Sequence, residues 1–121
     1  ADIFTCATGI EMTTHEMLES AERVWALEKC FNVREGWTRE DDMGPPRLYS
    51  EPLVTANRTY PGLEREYVEG LLDTYYSAHG WDVETGVPSR KRLAELDLQE
   101  IAEDLDEGAR NGPPQNTVLR R

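Results

Sequence analysis

The sequence predicts an all-α fold, a small domain of three to four helices with a long proline-rich loop. Two stretches carry apolar residues at the three- and four-residue spacing of a helical face. Between them, from Trp37 to Pro61, four prolines interrupt regular secondary structure. No segment shows the strong alternation of apolar and polar residues that is typical of a strand. We therefore expect helices that are separated by one irregular segment.

The first helix covers residues 14 to 33. Thr13 and Glu16 form the sequence pattern of a capping box, and Gly36 is suited to the left-handed conformation that ends a helix. Trp25 is predicted to be a core residue, and truncation of a buried tryptophan costs about 3–5 kcal/mol. The predicted apolar face has one polar member, Glu28, and consists of Met17, Leu18, Ala21, Val24, Trp25, Glu28 and Phe31.

The loop from Trp37 to Pro61 cannot hold a long regular element, since proline lacks an amide donor and fixes its own backbone angle. Residues 47–49 are predicted to form a short extended piece. An irregular segment of this length is uncommon in a compact domain and is commonly functional or packed against another surface.

The second helix is predicted from Leu63 to His79, where Gly80 ends it. Its apolar stripe, interpreted as core first and as a binding site second, contains Tyr67, Val68, Leu71, Leu72, Tyr75 and Tyr76. Trp81 is the only large aromatic residue of the turn that follows.

The third helix opens at Ser89 and is expected to face inward through Leu93 and Leu96. A short fourth helix covers residues 98–105 and repeats the pattern through Ile101 and Ala102. These elements predict one domain over residues 1–106 and a disordered tail over residues 107–121.

The composition restricts the partners and the compartment. The chain has 13 basic and 24 acidic residues and a net charge of -11, which disfavours nucleic acid and anionic membranes. Two cysteines fit a reducing compartment, and no apolar run approaches the length of a membrane span. We therefore predict a cytoplasmic protein. Its hydrophobic content of 38% indicates a modest core that is stabilised by packing against a larger structure.

The individual residues that could act as metal ligands or catalytic groups are better explained by structural roles. Glu11 and His15 have metal-ligand spacing, but Glu11 precedes the helix cap and no third ligand lies near it in the sequence. His79, at a helix C-terminus, is better suited to complement the helix dipole. The acids of residues 40–42 are interpreted as a solvated turn.

Cys6 and Cys30 are too few to hold an iron–sulfur cluster or a structural zinc. Cys30 is interpreted as a small buried hydrophobe. From the residues alone, the sequence predicts no catalytic, cofactor-binding or metal-binding residue.

Several strings, in the same order and with similar spacing, resemble the C-terminal region of the aldehyde ferredoxin oxidoreductase family. They are ATGIE at 7–11, ERVWALEK at 22–29, FNVREG at 31–36, REDD at 39–42, PPRLYSEPL at 45–53 and LLDTYYSAHGWDVETGVPSRKRLAELDL at 71–98. The sequence departs from the family pattern at Ile10 and Glu11, which replace Trp and Asp. It departs again at His79, which replaces Arg, and at Asp97, which replaces Gly.

The resemblance implies an enzyme that oxidises aldehydes to carboxylic acids and passes electrons to ferredoxin. It also implies a tungsten- or molybdenum-bispterin cofactor and a 4Fe–4S cluster, held by a part of the enzyme that is N-terminal to this segment. The segment alone is then expected to be inactive, with the remainder of the enzyme as its partner. The alternative is a free-standing acidic helical interaction module. Under the first interpretation, Arg34 either anchors the 37–61 loop or lines a substrate channel, against the plainer alternative of a salt bridge.

Overall fold

The structure is a computed structural model that describes residues 1–111, with side chains described through Asp106. The elements of this part of the chain are α1 (Asp2–Thr8), α2 (Thr14–Arg34), α3 (Arg39–Asp42), α4 (Arg47–Ser50), β1 (Leu53–Val54), β2 (Thr59–Tyr60), α5 (Arg65–His79), α6 (Arg90–Glu95) and α7 (Gln99–Asn111). The two short strands pair antiparallel, with Leu53 opposite Tyr60 and Val54 opposite Thr59. The predicted all-α class is confirmed.

The four predicted helices correspond to α2, α5, α6 and α7, while α1, α3 and α4 are short additional helices. Helix α7 continues to Asn111, beyond its expected end at Leu105. Of the predicted disordered tail, residues 112–121 lie outside the described residues, so the domain boundary at 106 stays a prediction. Among the described helices, none combines the length and the apolar character that crossing a membrane requires.

The chain divides into two compact units. The first unit consists of Ala1–Gly36 together with the segment that begins at Arg90, and therefore contains α1, α2, α6 and α7. The second unit is Trp37–Ser89, which contains the other elements.

Helix α2 begins as its sequence predicts. The Glu16 amide donates to the Thr13 hydroxyl at 3.2 Å, and the Thr13 amide donates to the Glu16 carboxylate at 2.7 Å. The bond from the Thr13 backbone lowers the pKa of Glu16. This capping box fixes the first turn of the longest described helix.

The core of the first unit lies where α2 meets α6 and α7. Leu93 and Leu96 are 1% and 2% exposed, so their predicted inward orientation is confirmed. Their buried neighbours are Ala26, Cys30 and Ala102, with Leu98, Ile101 and Leu105 partly buried at the edge.

The prediction of Trp25 as a core residue is wrong for this chain, because its side chain is 52% exposed. The face of α2 that packs in the first unit carries Ala26 and Cys30, whose small side chains let α7 approach closely. The larger apolar side chains at Leu18 and Val24 lie on the other side of the helix and are more than half exposed. The helix is amphipathic as predicted, but its packed face is the opposite one.

In the second unit the buried hydrophobic residues are Met43, Tyr76 and Trp81. Within the predicted stripe of α5, Tyr76 is buried and Tyr75 half-buried, whereas Tyr67 is 61% exposed. The stripe is therefore core only toward the C-terminal end of the helix.

Residues 47–49 were predicted as extended, and this is wrong, because they form the helical turn α4. Pro46 adopts helical angles at the position before the turn. The amides of Leu48 and Tyr49 donate to the carbonyls of Pro45 and Pro46 at 3.0 and 3.1 Å. Proline fits the start of a helix because its missing amide would have no partner there.

Asp97 joins α6 to α7 in a left-handed conformation, with φ of 57°. The Asp97 amide donates to the Ala94 carbonyl at 3.2 Å and the Leu98 amide to the Leu93 carbonyl at 2.8 Å. These two bonds define a Schellman motif, in which glycine is the preferred residue at the position that Asp97 occupies.

We expect Asp97→Gly to raise the free energy of unfolding by up to about 1 kcal/mol, because glycine reaches this conformation without strain. The substitution also removes an ion pair with Arg23 at 3.4 Å, but an exposed pair of this kind contributes little. Urea denaturation followed by far-UV circular dichroism measures the effect. Asp97→Ala is the control, since it removes the same carboxylate and keeps the strain, and it should be less stable than the parent. A glycine variant no more stable than the alanine variant would refute the strain argument.

Candidate functional site

The second unit contains a hydrogen-bonded group, the Asp42 cluster, formed by Trp37, Asp42 and Tyr76. The Trp37 indole donates to one carboxylate oxygen of Asp42 at 2.8 Å, and the Tyr76 hydroxyl donates to the other through a short hydrogen bond. Asp42 was interpreted as part of a solvated turn, and the structure instead gives it two aromatic donors. The cluster ties α3 to α5.

Arg39 completes this arrangement from the first position of α3. Its guanidinium donates to the Asp73 carboxylate at 2.7 Å, to the Glu69 carbonyl at 3.3 Å and to the Val83 carbonyl through a short bond. The guanidinium carbon lies 5.3 Å from the centre of the Tyr76 ring. One arginine therefore links α3, α5 and the turn that follows α5.

Burial, and then the hydrogen bond to Asp42, raise the pKa of Tyr76. A phenol with a raised pKa stays protonated at neutral pH, so it is a poor nucleophile and a poor general base. The Asp42 cluster is thus built to hold the second unit together, and its chemistry at neutral pH is that of a fixed hydrogen-bond donor and acceptor.

His79 occupies the last position of α5, followed by Gly80 with φ of 70°. Its ring centroid lies 4.3 Å from that of Tyr75 and 5.6 Å from that of Trp81. The imidazole is therefore part of an aromatic group at the helix end, which agrees with a structural interpretation of this residue.

The first unit contains an apolar cavity of about 250 Å³ between α2 and α7, lined by Leu27, Cys30, Phe31, Arg34, Ile101, Asp104 and Leu105. Sequence reasoning missed it, because its walls come from two helices that are far apart in the chain. Arg34 lies on its rim, where its side chain pairs with Glu35 at 3.6 Å and lies 5.2 Å from the centre of the Phe31 ring. The roles proposed for Arg34 in the 37–61 loop or a substrate channel stay predictions.

Cys30 is buried and Cys6 is exposed, so the interpretation of Cys30 as a small core residue is confirmed. Burial raises the pKa of the Cys30 thiol from 9.0 to about 11. Because the folded protein holds the neutral thiol, this contribution to stability is complete below pH 9.0 and is lost as the pH rises toward about 11.

We expect one thiol of the native protein, Cys6, to react readily with iodoacetamide at pH 8, and Cys30 to react only after unfolding. The thiolate is the reactive species, and Cys30 is both shielded and protonated at that pH. Mass spectrometry of the tryptic peptides measures the labelling of each residue, and Cys6→Ser removes the fast phase as a control. Equal labelling rates at Cys6 and Cys30 in the native protein would contradict the buried position of Cys30.

The donor groups of the described residues do not fit a metal or cluster site. Glu11 precedes α2, whereas His15 lies in its first turn, so the two do not belong to one helical face. Within residues 1–106, no group of three or more histidine, cysteine, aspartate or glutamate side chains lies close enough to hold a metal ion. A 4Fe–4S cluster takes four thiolates, and the two cysteines of this sequence cannot supply them.

The comparisons with known proteins agree on one family. The family model described as "Aldehyde ferredoxin oxidoreductase, domains 2 & 3" matches residues 1–98. Among curated proteins, the tungsten-containing aldehyde ferredoxin oxidoreductases of Pyrococcus furiosus and Pyrococcus abyssi are each 32% identical to this chain, and that of Pyrococcus horikoshii is 31% identical. Each match covers 83% of this chain and 16% of the relative, so the chain spans about one sixth of the length of these relatives. No solved structure matches it.

The family match extends over the capped helix α2, the Asp42 cluster and the Schellman turn at Asp97, and thus over both compact units. This chain belongs to the aldehyde ferredoxin oxidoreductase family, in the region of domains 2 and 3.

Proposed function

We propose that this chain is the C-terminal helical part of an oxidoreductase that converts aldehydes to carboxylic acids. In this proposal ferredoxin accepts the electrons, and the reaction takes place in the cytoplasm. A tungsten- or molybdenum-bispterin cofactor and a 4Fe–4S cluster are held by the remainder of the enzyme. The observation that carries the proposal is the match of 83% of the chain to relatives that are named tungsten-containing aldehyde ferredoxin oxidoreductases.

The residues of this chain contribute structure to such an enzyme. Their donor groups do not fit the metal centre. The Asp42 cluster and Arg39 fix α3 against α5, and the buried Leu93 and Leu96 pack with α2 and α7 residues in the core of the first unit. Helices held in place in this way are suited to forming part of the wall of a cofactor cavity, where protein supplies orientation and excludes water.

The test is made on the complete oxidoreductase that contains this chain, purified without oxygen from its own host. We expect tungsten or molybdenum, iron and acid-labile sulfide in elemental analysis, and reduction of ferredoxin or of a viologen dye that depends on added aldehyde. The 121-residue chain, purified alone, is the matched control and should reduce neither acceptor.

A purified protein with neither metal nor aldehyde-dependent reduction would refute the proposal. That result would favour the alternative, a helical interaction module without catalytic activity. Activity in the isolated chain would also refute it, because the proposal assigns the metal centre to the remainder of the enzyme.

A further inference from the structure

One side of α2 is apolar and uncovered. Leu18 and Val24 are 61% and 64% exposed, and Trp25 and Phe31 are 52% and 54% exposed. We call this side the outer face of α2, and it consists of Leu18, Ala21, Val24, Trp25, Glu28 and Phe31. Single exposed apolar residues are ordinary on a protein surface, but a contiguous group of large ones marks an interaction site.

The outer face is distinct from the side of α2 that forms the core of the first unit. The core side presents Ala26 and Cys30, both 2% exposed, at helical positions opposite to Val24 and Trp25. Leu18, Val24 and Trp25 are therefore not members of the same core, whereas Phe31 lies at the edge of the outer face and also lines the cavity between α2 and α7. The first three side chains require a second surface if they are to be removed from water.

Glu28 lies in the middle of the outer face. The residues three and four positions away along the helix are Val24, Trp25, Phe31 and Asn32. Within residues 1–106, whose side chains are described, the Glu28 carboxylate has no hydrogen bond or ion pair. A carboxylate that becomes buried without a partner carries a large desolvation cost, so a surface that covers this face must supply a cation or hydrogen-bond donors to Glu28.

We infer that the outer face of α2 docks on the remainder of the oxidoreductase, on an apolar surface that presents an arginine or lysine to Glu28. The inference rests on the proposed function. Each curated relative that matches the chain is matched over only 16% of its length, so a folded partner several times larger than this chain is expected in the same enzyme.

A second copy of the chain fits this face less well. Two copies would each bring a net charge of -11, and a two-fold contact made through this face would place Glu28 near its own symmetry mate. Like charges at a shared interface are unfavourable and are worse when water is excluded. A partner with a positively charged group is favoured by the same reasoning.

The first arm of the test labels side chains in the complete oxidoreductase and in the isolated 121-residue chain. Carbodiimide with glycine ethyl ester modifies carboxylates and hydroxyl radicals modify indoles, and peptide mass spectrometry gives the rate at Glu28 and Trp25. We expect both rates to fall at least about tenfold between the isolated chain and the enzyme. Metal content and aldehyde oxidation are measured on the same preparation. A failure of the proposed function can therefore be distinguished from a failure of the docking inference.

The second arm uses Glu28→Arg, with Glu103→Arg as the matched control. Glu103 is an exposed carboxylate on α7, so the two variants make the same change of charge. In the complete enzyme, Glu28→Arg should speed thermal inactivation at least about tenfold, since it places like charges at a desolvated contact, while Glu103→Arg stays within about twofold of the parent. In the isolated chain, both variants should unfold at the urea concentration of the parent.

An active, metal-containing enzyme in which Glu28 and Trp25 label as fast as in the isolated chain would overturn the inference and leave the proposed function intact. Slow labelling already in the isolated chain would overturn it as well, because the face would then be covered within the chain or by a second copy, which light scattering distinguishes. Protection by a partner that carries neither metal nor activity would overturn both proposals.

Discussion

Leu93→Ala is expected to lower the free energy of unfolding of the first unit by about 2–5 kcal/mol. Leu93 is 1% exposed and belongs to the cluster with Ala26, Cys30, Leu96 and Ala102. Its removal takes apolar atoms out of a packed site and leaves a cavity that the surrounding helices can fill only in part. Its carbonyl also accepts the Leu98 amide in the Schellman turn, so relaxation of α6 toward the cavity is resisted by that turn.

The matched control is Leu18→Ala, the same change of side chain on the outer face of α2. Leu18 is 61% exposed, and we expect its loss to change the stability of the isolated chain by no more than about 0.5 kcal/mol. Urea unfolding and hydrogen exchange of the α2 amides measure both variants. If Leu18→Ala proved as costly as Leu93→Ala, the assignment of the two sides of α2 would be reversed.

The sequence predicted well those features that depend on neighbours in the chain. The capping box of α2 needs only Thr13 and Glu16, and the structure contains both of its hydrogen bonds. Gly80 ends α5 in the left-handed conformation, as a glycine after an apolar periodic run indicates. Leu93 in α6 and Leu96 directly after it were placed inward correctly, because this stretch of the chain has few large apolar residues from which to choose.

The side of α2 that packs in this chain could not be predicted in the same way. Periodicity identifies an apolar stripe, and the stripe with the largest residues was taken as the core. Helix α2 has two apolar sides, one with Ala26 and Cys30 and one with Val24 and Trp25, and the partner of each side decides which is buried. Because the chain matches only a sixth of its relatives' length, a stripe that is unpacked within it is physically reasonable.

The Asp42 cluster was missed for a different reason. Asp42 and Tyr76 are separated by 34 residues, and their meeting depends on how the proline-rich loop folds, which local propensity does not specify. The family assignment came from the resemblance of whole strings. Composition and spacing had predicted only an acidic, all-helical protein, and among individual residues they described the burial of Cys30 correctly.

Gly86→Ala is expected to destabilise the second unit by about 2–5 kcal/mol, from two separate causes. Gly86 has φ of 73°, and a Cβ there would lie 2.8 Å from both the ring carbon and the oxygen at the tip of the Tyr76 phenol. The left-handed conformation costs a side-chain-bearing residue about 1–2 kcal/mol, and overpacking of a filled core costs about 1–3 kcal/mol. Tyr76 is 1% exposed and its hydroxyl is bonded to Asp42, so the ring has no room to withdraw.

Gly36→Ala separates the two causes, because Gly36 has φ of 92° and an added Cβ would meet nothing within 4 Å. This control should show only the conformational cost. Near-UV circular dichroism during urea unfolding follows the second unit for Gly86→Ala, through the packed rings of Tyr76 and Trp81, whose centroids lie 6.0 Å apart. Hydrogen exchange of the α2 amides follows the first unit, which contains Gly36, for the control. In a Tyr76→Leu background the clash is relieved, so Gly86→Ala should cost about as little as Gly36→Ala does, and the difference between the two backgrounds measures the contact itself. An unchanged cost in that background would mean that the left-handed backbone, and not the Tyr76 ring, is what demands glycine at this turn.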